Sequence, residues 1–239
     1  MGDLEGKVAI ITGAARGIGR AAAVEFAAQG ATVVVADRKN DVHETAADIG
    51  NGSVAAIVDV SDPASVAQLV GGAVERFGRL DVLFNNAGVT GRPAPISELE
   101  PDAFDRVIAI NVRGVFLGMK HALPAMIAQG GGSIINTSSV TALRAQSGMA
   151  AYVASKHAII GLTRVAAIEA GPHGVRVNAL LPGPTATPMI GDEQFAGDVP
   201  LGRVSTPEEQ AAVACFLASD RSSFVNGEAL LADGGMAWS

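Results

Sequence analysis

Lys7-Val8-Ala9-Ile10-Ile11-Thr12-Gly13-Ala14-Ala15-Arg16-Gly17-Ile18-Gly19 is the stretch on which the fold is decided. An apolar, β-branched run reads as a buried strand. It ends in a turn carrying three glycines, and a helical pattern then runs from Ile18 to Gln29. A chain that leaves a strand so tightly needs residues without Cβ where an anion approaches its backbone. The N–H groups and dipole of the following helix favour that anion. Gly13, Arg16, Gly17, Ile18 and Gly19 are therefore candidates to cradle a dinucleotide pyrophosphate. The spacing is G-x-x-x-G-x-G rather than G-x-G-x-x-G, so a plain glycine-rich turn stays open on this segment alone.

Outward from this turn, Thr32–Ala36 reads as a second strand. Asp37 closes it eighteen residues beyond Gly19, close to the interval at which an acid meets an adenosine ribose. A solvated turn acid is the plain alternative. A carboxylate at about 4 Å repels a phosphate by about 1 to 4 kcal/mol per charge pair, whereas Arg16 and Arg38 would attract a 2′-phosphate. Asp37 stands where that phosphate must sit, so the expected cofactor is NAD rather than NADP. Further strands are expected at Val54–Val58, Asp81–Phe84, Ser133–Thr137, Val175–Leu181 and Ala229–Leu231. Helices are expected at Val42–Ile49, Pro63–Phe77 (capped by Ser61 or Asp62), Pro101–Gln129 in one or two pieces, Ala151–Ala170 and Pro207–Ala218. This alternation predicts an α/β protein: a single doubly wound domain over residues 1–239, with a seven-stranded parallel sheet and helices on both faces. A Pro- and Gly-rich stretch at about 184–206 reads as a substrate flap.

Composition narrows the partners. The chain is 49% hydrophobic and 17% charged, which fits strands covered on both faces. A net charge of -7 and a pI near 5.0 argue against nucleic acid, which needs a basic surface. No apolar run approaches the roughly 18 residues of a membrane span. The acids before the first apolar run are wrong for a signal peptide, and Gly6 stands where myristoylation expects Ser or Thr. The one cysteine, Cys215, lies in the apolar run Ala211–Ala218, reads as core and suits a reducing compartment. The expected location is the cytoplasm. His43, His121, His157 and His173 show no ligand spacing, so no metal site is expected. A G-x-S-x-G elbow and a P-loop are both missing from the sequence.

The reacting groups follow from one rarity. The chain has a single tyrosine, Tyr152, and Lys156 stands four residues on. At i,i+4 on a helix the two share a face. A free phenol, with a pKa of about 10, is a poor base at neutral pH, and a nearby ammonium favours the phenolate. Tyr152 is then a candidate acid/base for proton transfer to or from a carbonyl oxygen. Ser138 and Ser139 end a strand where a doubly wound sheet opens its crevice, and either hydroxyl could hold a substrate oxygen. Asn86, Ala87 and Gly88 follow another strand, and Asn111 sits in a helix poor in polar residues, where a buried amide needs partners.

With these residues in order, the sequence resembles the short-chain dehydrogenase/reductase family over essentially its whole length. Thr12–Gly19 resembles that family's cofactor loop, Asn85–Gly88 its NNAG segment and Tyr152–Lys156 its YxxxK. The resemblance implies a Rossmann fold, with Tyr152 as acid/base and Lys156 lowering its pKa while binding the nicotinamide ribose. It selects Ser139, thirteen residues before Tyr152, as the catalytic serine that orients the carbonyl. Asn111 matches the asparagine that holds a water linked to the lysine. Asp59 and Val60 resemble the pair that binds adenine; Pro182 and Gly183, with Thr185 and Thr187, resemble the stretch that contacts the nicotinamide carboxamide. The resemblance also implies a homotetramer.

The expected reaction is hydride transfer between NAD(H) and a small-molecule secondary alcohol or ketone. The runner-up is an NADPH-dependent 3-oxoacyl thioester reductase, against which Asp37 speaks. A non-catalytic dinucleotide sensor is the alternative of a different class, although it could dispense with the Tyr/Lys/Ser set that this chain keeps complete. Substrate-lining candidates are Ser139, Thr141, Leu143, Gln146, Met149, Tyr152, Pro184, Met189, Ile190 and Phe195. They are largely apolar and suit a modest hydrophobic ketone or alcohol.

Overall fold

The computed structural model describes residues 2–189 and 196–239. Seven strands, β1 (Val8–Thr12), β2 (Thr32–Asp37), β3 (Val54–Ile57), β4 (Val82–Asn85), β5 (Gly132–Thr137), β6 (Val175–Pro182) and β7 (Ala229–Ala232), form one sheet. All pairs are parallel, in the order β3-β2-β1-β4-β5-β6-β7. The winding direction reverses between β1 and β4. In such a sheet the crevice outside the carboxyl ends of those strands is the natural ligand site.

The strands read as continuous apolar runs because both faces are covered. Alternate side chains go to opposite layers. Ala9, Ile11, Val33, Val35, Val82 and Phe84 pack against α1 (Gly17–Ala28), α2 (Val42–Ile49) and α7 (Pro207–Ala218). Ile10, Val34, Leu83, Ile134 and Val177 pack against α3 (Pro63–Phe77), α5 (Gly114–Ala128) and α6 (Ala150–Ala170). Phe26 of α1 stacks on Phe84 with ring centroids 6.3 Å apart. Burying each such side chain is worth about 1.5–3 kcal/mol. Cys215 lies in the first layer, and burial pushes its thiol up to about 11, which leaves it unreactive.

Helix ends follow local chemistry. Asp62 caps α3 by accepting from the Ser65 N–H at 2.9 Å, with Pro63 at the first helical position. Ser61 instead donates its hydroxyl to Asp59. Thr206 and Glu209 form a reciprocal capping box on α7. The long helix expected at 101–129 is α4 (Pro101–Ile108) and α5 joined by a π-helical turn, Ala109–Arg113. Among the described residues, no helix is long and apolar enough to cross a membrane.

Candidate active site

A cleft of about 880 Å³ opens at the carboxyl edge of the sheet, and both halves of the fold line it. On one side is the turn after β1. Gly13 and Gly17 adopt φ of +70° and +57°, where a side chain is strained. A Cβ on Gly13 would stand 2.9 Å from Ala87 Cα, so the glycine turn and the segment after β4 touch backbone to backbone. Thr12 Oγ1 welds them by accepting from the N–H groups of Asn86 and Ala87 at 3.0 and 3.1 Å. Asn86 Nδ2 returns a bond to Thr12 O at 3.1 Å. Among the described residues, no side chain caps the start of α1, and its first turn carries no acid. Its leading N–H groups therefore remain available to an anion, and this cradle fits a dinucleotide pyrophosphate.

Gly19 does not line the cleft. It is buried, and a Cβ there would collide with the Gly13 carbonyl and lie 2.6 Å from Asn86 Nδ2. Its service is close packing of α1 on the turn. Asp37 does reach the cleft, together with Arg16, Arg38, Ile18, Asp59 and Val60. Its carboxylate is fixed by the Ala15 N–H (3.2 Å) on one oxygen and the Lys39 N–H (3.0 Å) on the other. Asp59 accepts from the hydroxyl and N–H of Ser61 at 2.6 and 2.9 Å. These bonds, the hydroxyl first, hold its carboxyl below the usual range, with a smaller contribution from Arg38.

On the other side, β5 and α6 carry the residues singled out as reacting groups. Tyr152 and Lys156 lie one turn apart on α6, with Lys156 Nζ 5.3 Å from the Tyr152 ring centroid. Lys156 Nζ donates to Thr137 O at 2.7 Å. Burial pushes the Lys156 ammonium down to about 7 and the Tyr152 phenol up, while the Ser139 hydroxyl pulls the phenol back. The expected lowering of the phenol by the ammonium is thus outweighed. Desolvation acts on both groups and favours both neutral forms. The two adjacent serines separate: Ser138 Oγ turns inward to donate to Lys156 O at 2.7 Å, and Ser139 faces the cleft beside the phenol.

Asn111 stands in the π turn and does not line the cleft. Its Oδ1 accepts from the Val89 N–H at 2.9 Å, and its Nδ2 donates to Val89 O at 2.9 Å and Ser155 Oγ at 3.0 Å. Ser155, wholly buried and not singled out by the sequence, passes the link on by donating to Tyr152 O at 2.6 Å. Gly88 lets these groups converge, since a Cβ there would lie 3.3 Å from Asn111 Oδ1 and 3.7 Å from Lys156 Nζ.

Thr141, Gln146, Met149, Pro184 and Met189 line the cleft, as do Pro182, Gly183, Thr185 and Thr187. Leu143 does not; it is half exposed outside the cleft. The segment Val140–Ala142 is a 3₁₀ turn that ends at Leu143, and Val140, Thr141 and Arg144 line the cleft on either side of it. Ile190 and Phe195 lie outside the described residues. Arg144, Asp198 and Met236 also line the cleft. No local signal in the sequence marks these three.

The chain matches, over residues 13–237, the family described as enoyl-(acyl carrier protein) reductase. It is 43% identical to a 2,5-dichloro-2,5-cyclohexadiene-1,4-diol dehydrogenase of Sphingobium indicum, covering 98% of each chain. It is 40% identical to a cyclohexanol dehydrogenase of Acinetobacter, covering 95% of this chain and 94% of that one. Its fold matches a 3-ketoacyl-(acyl-carrier-protein) reductase of Brucella melitensis, crystallised with NADH, at a TM-score of 0.95 and 38% identity, covering 98% and 99% of the two chains.

Proposed function

The chain belongs to the short-chain dehydrogenase/reductase family, and on that premise we propose an NAD-dependent enzyme that works on ring alcohols through Tyr152. The reaction class itself is the interconversion of a secondary alcohol and a ketone with a nicotinamide dinucleotide. The observation that carries the mechanism is the convergence of Tyr152, Ser139 and Lys156 on one wall of a cleft whose other wall is the glycine turn.

When bound, NAD supplies the hydride acceptor. Gly13, Gly17 and the start of α1 would hold its pyrophosphate, Asp37 its adenosine ribose, Asp59 and Val60 its adenine, and the stretch 182–187 its nicotinamide end. Tyr152 Oη takes the alcohol proton as the carbonyl forms and returns it in reduction. Ser139 Oγ holds the substrate oxygen beside the phenol. Lys156 favours the phenolate while it is protonated, and because burial brings it to about 7, that assistance is itself pH-gated. The Asn111 side chain is taken up by Val89 and Ser155, so its part is to hold the segment after β4 against α6.

The ring-alcohol assignment is supported by two relatives named for alcohols on six-membered carbon rings and by the apolar Met149, Pro184 and Met189 at the substrate end. A 3-oxoacyl thioester reductase is the second reading, favoured by the Brucella neighbour. Cyclohexanol with NAD and a 3-oxoacyl thioester with NADPH are to be compared by kcat/KM. A higher value for the thioester pair overturns the ring-alcohol assignment. Tyr152→Phe is expected to lose at least about 100-fold in turnover, the lower end of general acid/base catalysis, while still binding NADH. Near-normal turnover removes Tyr152 from the mechanism.

A further inference from the structure

Gln210 lies in the first turn of α7 and is 1% exposed, an uncommon place for an amide. Only one end of it is satisfied. Nε2 donates to Ser205 Oγ at 2.9 Å and to Ala232 O, at the end of β7, at 2.8 Å. Oε1 has no partner among the described residues. Turning the amide over would set Oε1 against the Ala232 carbonyl, so the orientation is determined by its neighbours. A buried acceptor without a partner destabilises a fold, and an apolar side chain would suit this core better. The amide is therefore explained by what Nε2 ties together.

It ties the root of segment 184–206 to the sheet. Ser205 Oγ is 2.9 Å from Thr185 Oγ1 and donates to Pro184 O at 3.2 Å. The Ser205 N–H donates to Pro184 O at 2.9 Å and the Ala186 N–H to Ser205 O at 2.8 Å, so Thr185 and Ser205 form a parallel bridge. Ala232 O also accepts from the Gly183 N–H at 3.0 Å. A Cβ on Gly183 would lie 2.6 Å from Asp233 Cα, so the chain end of β6 is pressed against that of β7. Thr185 is 3% exposed, and its hydroxyl is engaged by Gly183 O (3.1 Å) and Ser205. Gly183, Pro184 and Thr185 all line the cleft, and with no side chain on Gly183 and the Thr185 hydroxyl engaged, their main chain is braced by Gln210 through Ser205 and Ala232.

We propose that Gln210 is a positioning residue for the nicotinamide end of the cofactor. By joining Ser205 to Ala232 it presets the main chain at Gly183–Thr185, so that binding does not have to order it. The inference rests on the NAD reading above.

The test compares NADH, by fluorescence titration, with ADP-ribose, by calorimetry; ADP-ribose carries the adenosine and pyrophosphate but no nicotinamide. Gln210→Leu is expected to weaken NADH about tenfold or more and ADP-ribose by less than about twofold. Ser205→Ala should weaken NADH selectively in the same way. The double variant should bind NADH no more weakly than Gln210→Leu alone, because both changes break one chain of contacts. Equal loss of both ligands, strictly additive losses or unaltered NADH binding would overturn the clamp. Should Gln210→Leu not fold, Ser205→Ala decides by the same comparison. A wild type that binds neither ligand overturns the NAD reading and the clamp with it, whereas a wild type that binds both keeps the two failures apart.

Discussion

At the residue scale, two charges at opposite ends of the cleft govern the proposed chemistry. The Asp37 carboxylate is held by two backbone N–H groups, so it cannot swing away from a 2′-phosphate without losing both bonds. Taking about 2 to 4 kcal/mol for the repulsion, NAD should exceed NADP in kcat/KM by about 30- to 1,000-fold. Arg16 and Arg38 pull that ratio towards its lower end. Asp37→Ala should move it towards NADP, because the arginines remain while the repulsion goes; an unmoved ratio would assign cofactor choice to them. Lys156 is the second charge. Burial lowers it from the ordinary 10.5 to about 7. Between those values the unfolded chain holds a proton that the folded chain does not, so stability falls as pH drops from about 10.5 to 7 and stays low below that. Lys156→Met removes this penalty. Its Tm at pH 7 should rise by at least about 2 °C, the shift that 1 kcal/mol makes in a domain of this size. The gap should close towards pH 10. Coincident melting curves at every pH would show that the ammonium is not penalised.

Elements meet at two joints. α1 approaches the turn so closely that Gly19 has no room for a Cβ. Gly19→Ala should force α1 outward at an overpacking cost of about 1–3 kcal/mol and weaken NADH binding by misplacing the helix start. Thermal melts and an NADH titration check this, and an unchanged Tm with unchanged affinity would show that the turn yields freely. The second joint is the π turn between α4 and α5. A helical pattern over 101–129 was legible in the sequence; the extra residue that turns Asn111 towards Val89 and Ser155 was not. Local π turns carry no propensity signal and persist where tertiary bonds hold them.

At the scale of the whole molecule, the apolar residues of α5 and α6 divide. Val115 and Ile159 belong to the chain's own core, whereas Phe116, Val165 and Ile168 stand 45%, 55% and 77% exposed on α5 and α6. Their exposure on two packed helices suits a contact with another chain. With the family relationship it supports our proposal of a homotetramer built on these helices. Light scattering at micromolar concentration should give four chains, and Ile168→Glu should shift the mass downward. A monomeric wild type would sink the proposal.

The order of strands and helices and the parallel sheet were legible from the chain alone, and most residues singled out for the site line one cleft. Periodicity, glycine placement and the i,i+4 relation of Tyr152 to Lys156 are local, and local geometry follows from covalent and steric rules. What local rules do not contain is which neighbour a side chain meets across the sheet. Residue type cannot tell Ser138 from Ser139; the tertiary structure turns one inward to Lys156 O and leaves the other at the phenol. Sequence distance likewise hid the contacts of Gln210 with Ala232 and of Asn111 with Val89. The ammonium–phenol pair was visible as a pair, but burial, a property of the assembled core, determines that both groups favour their neutral forms.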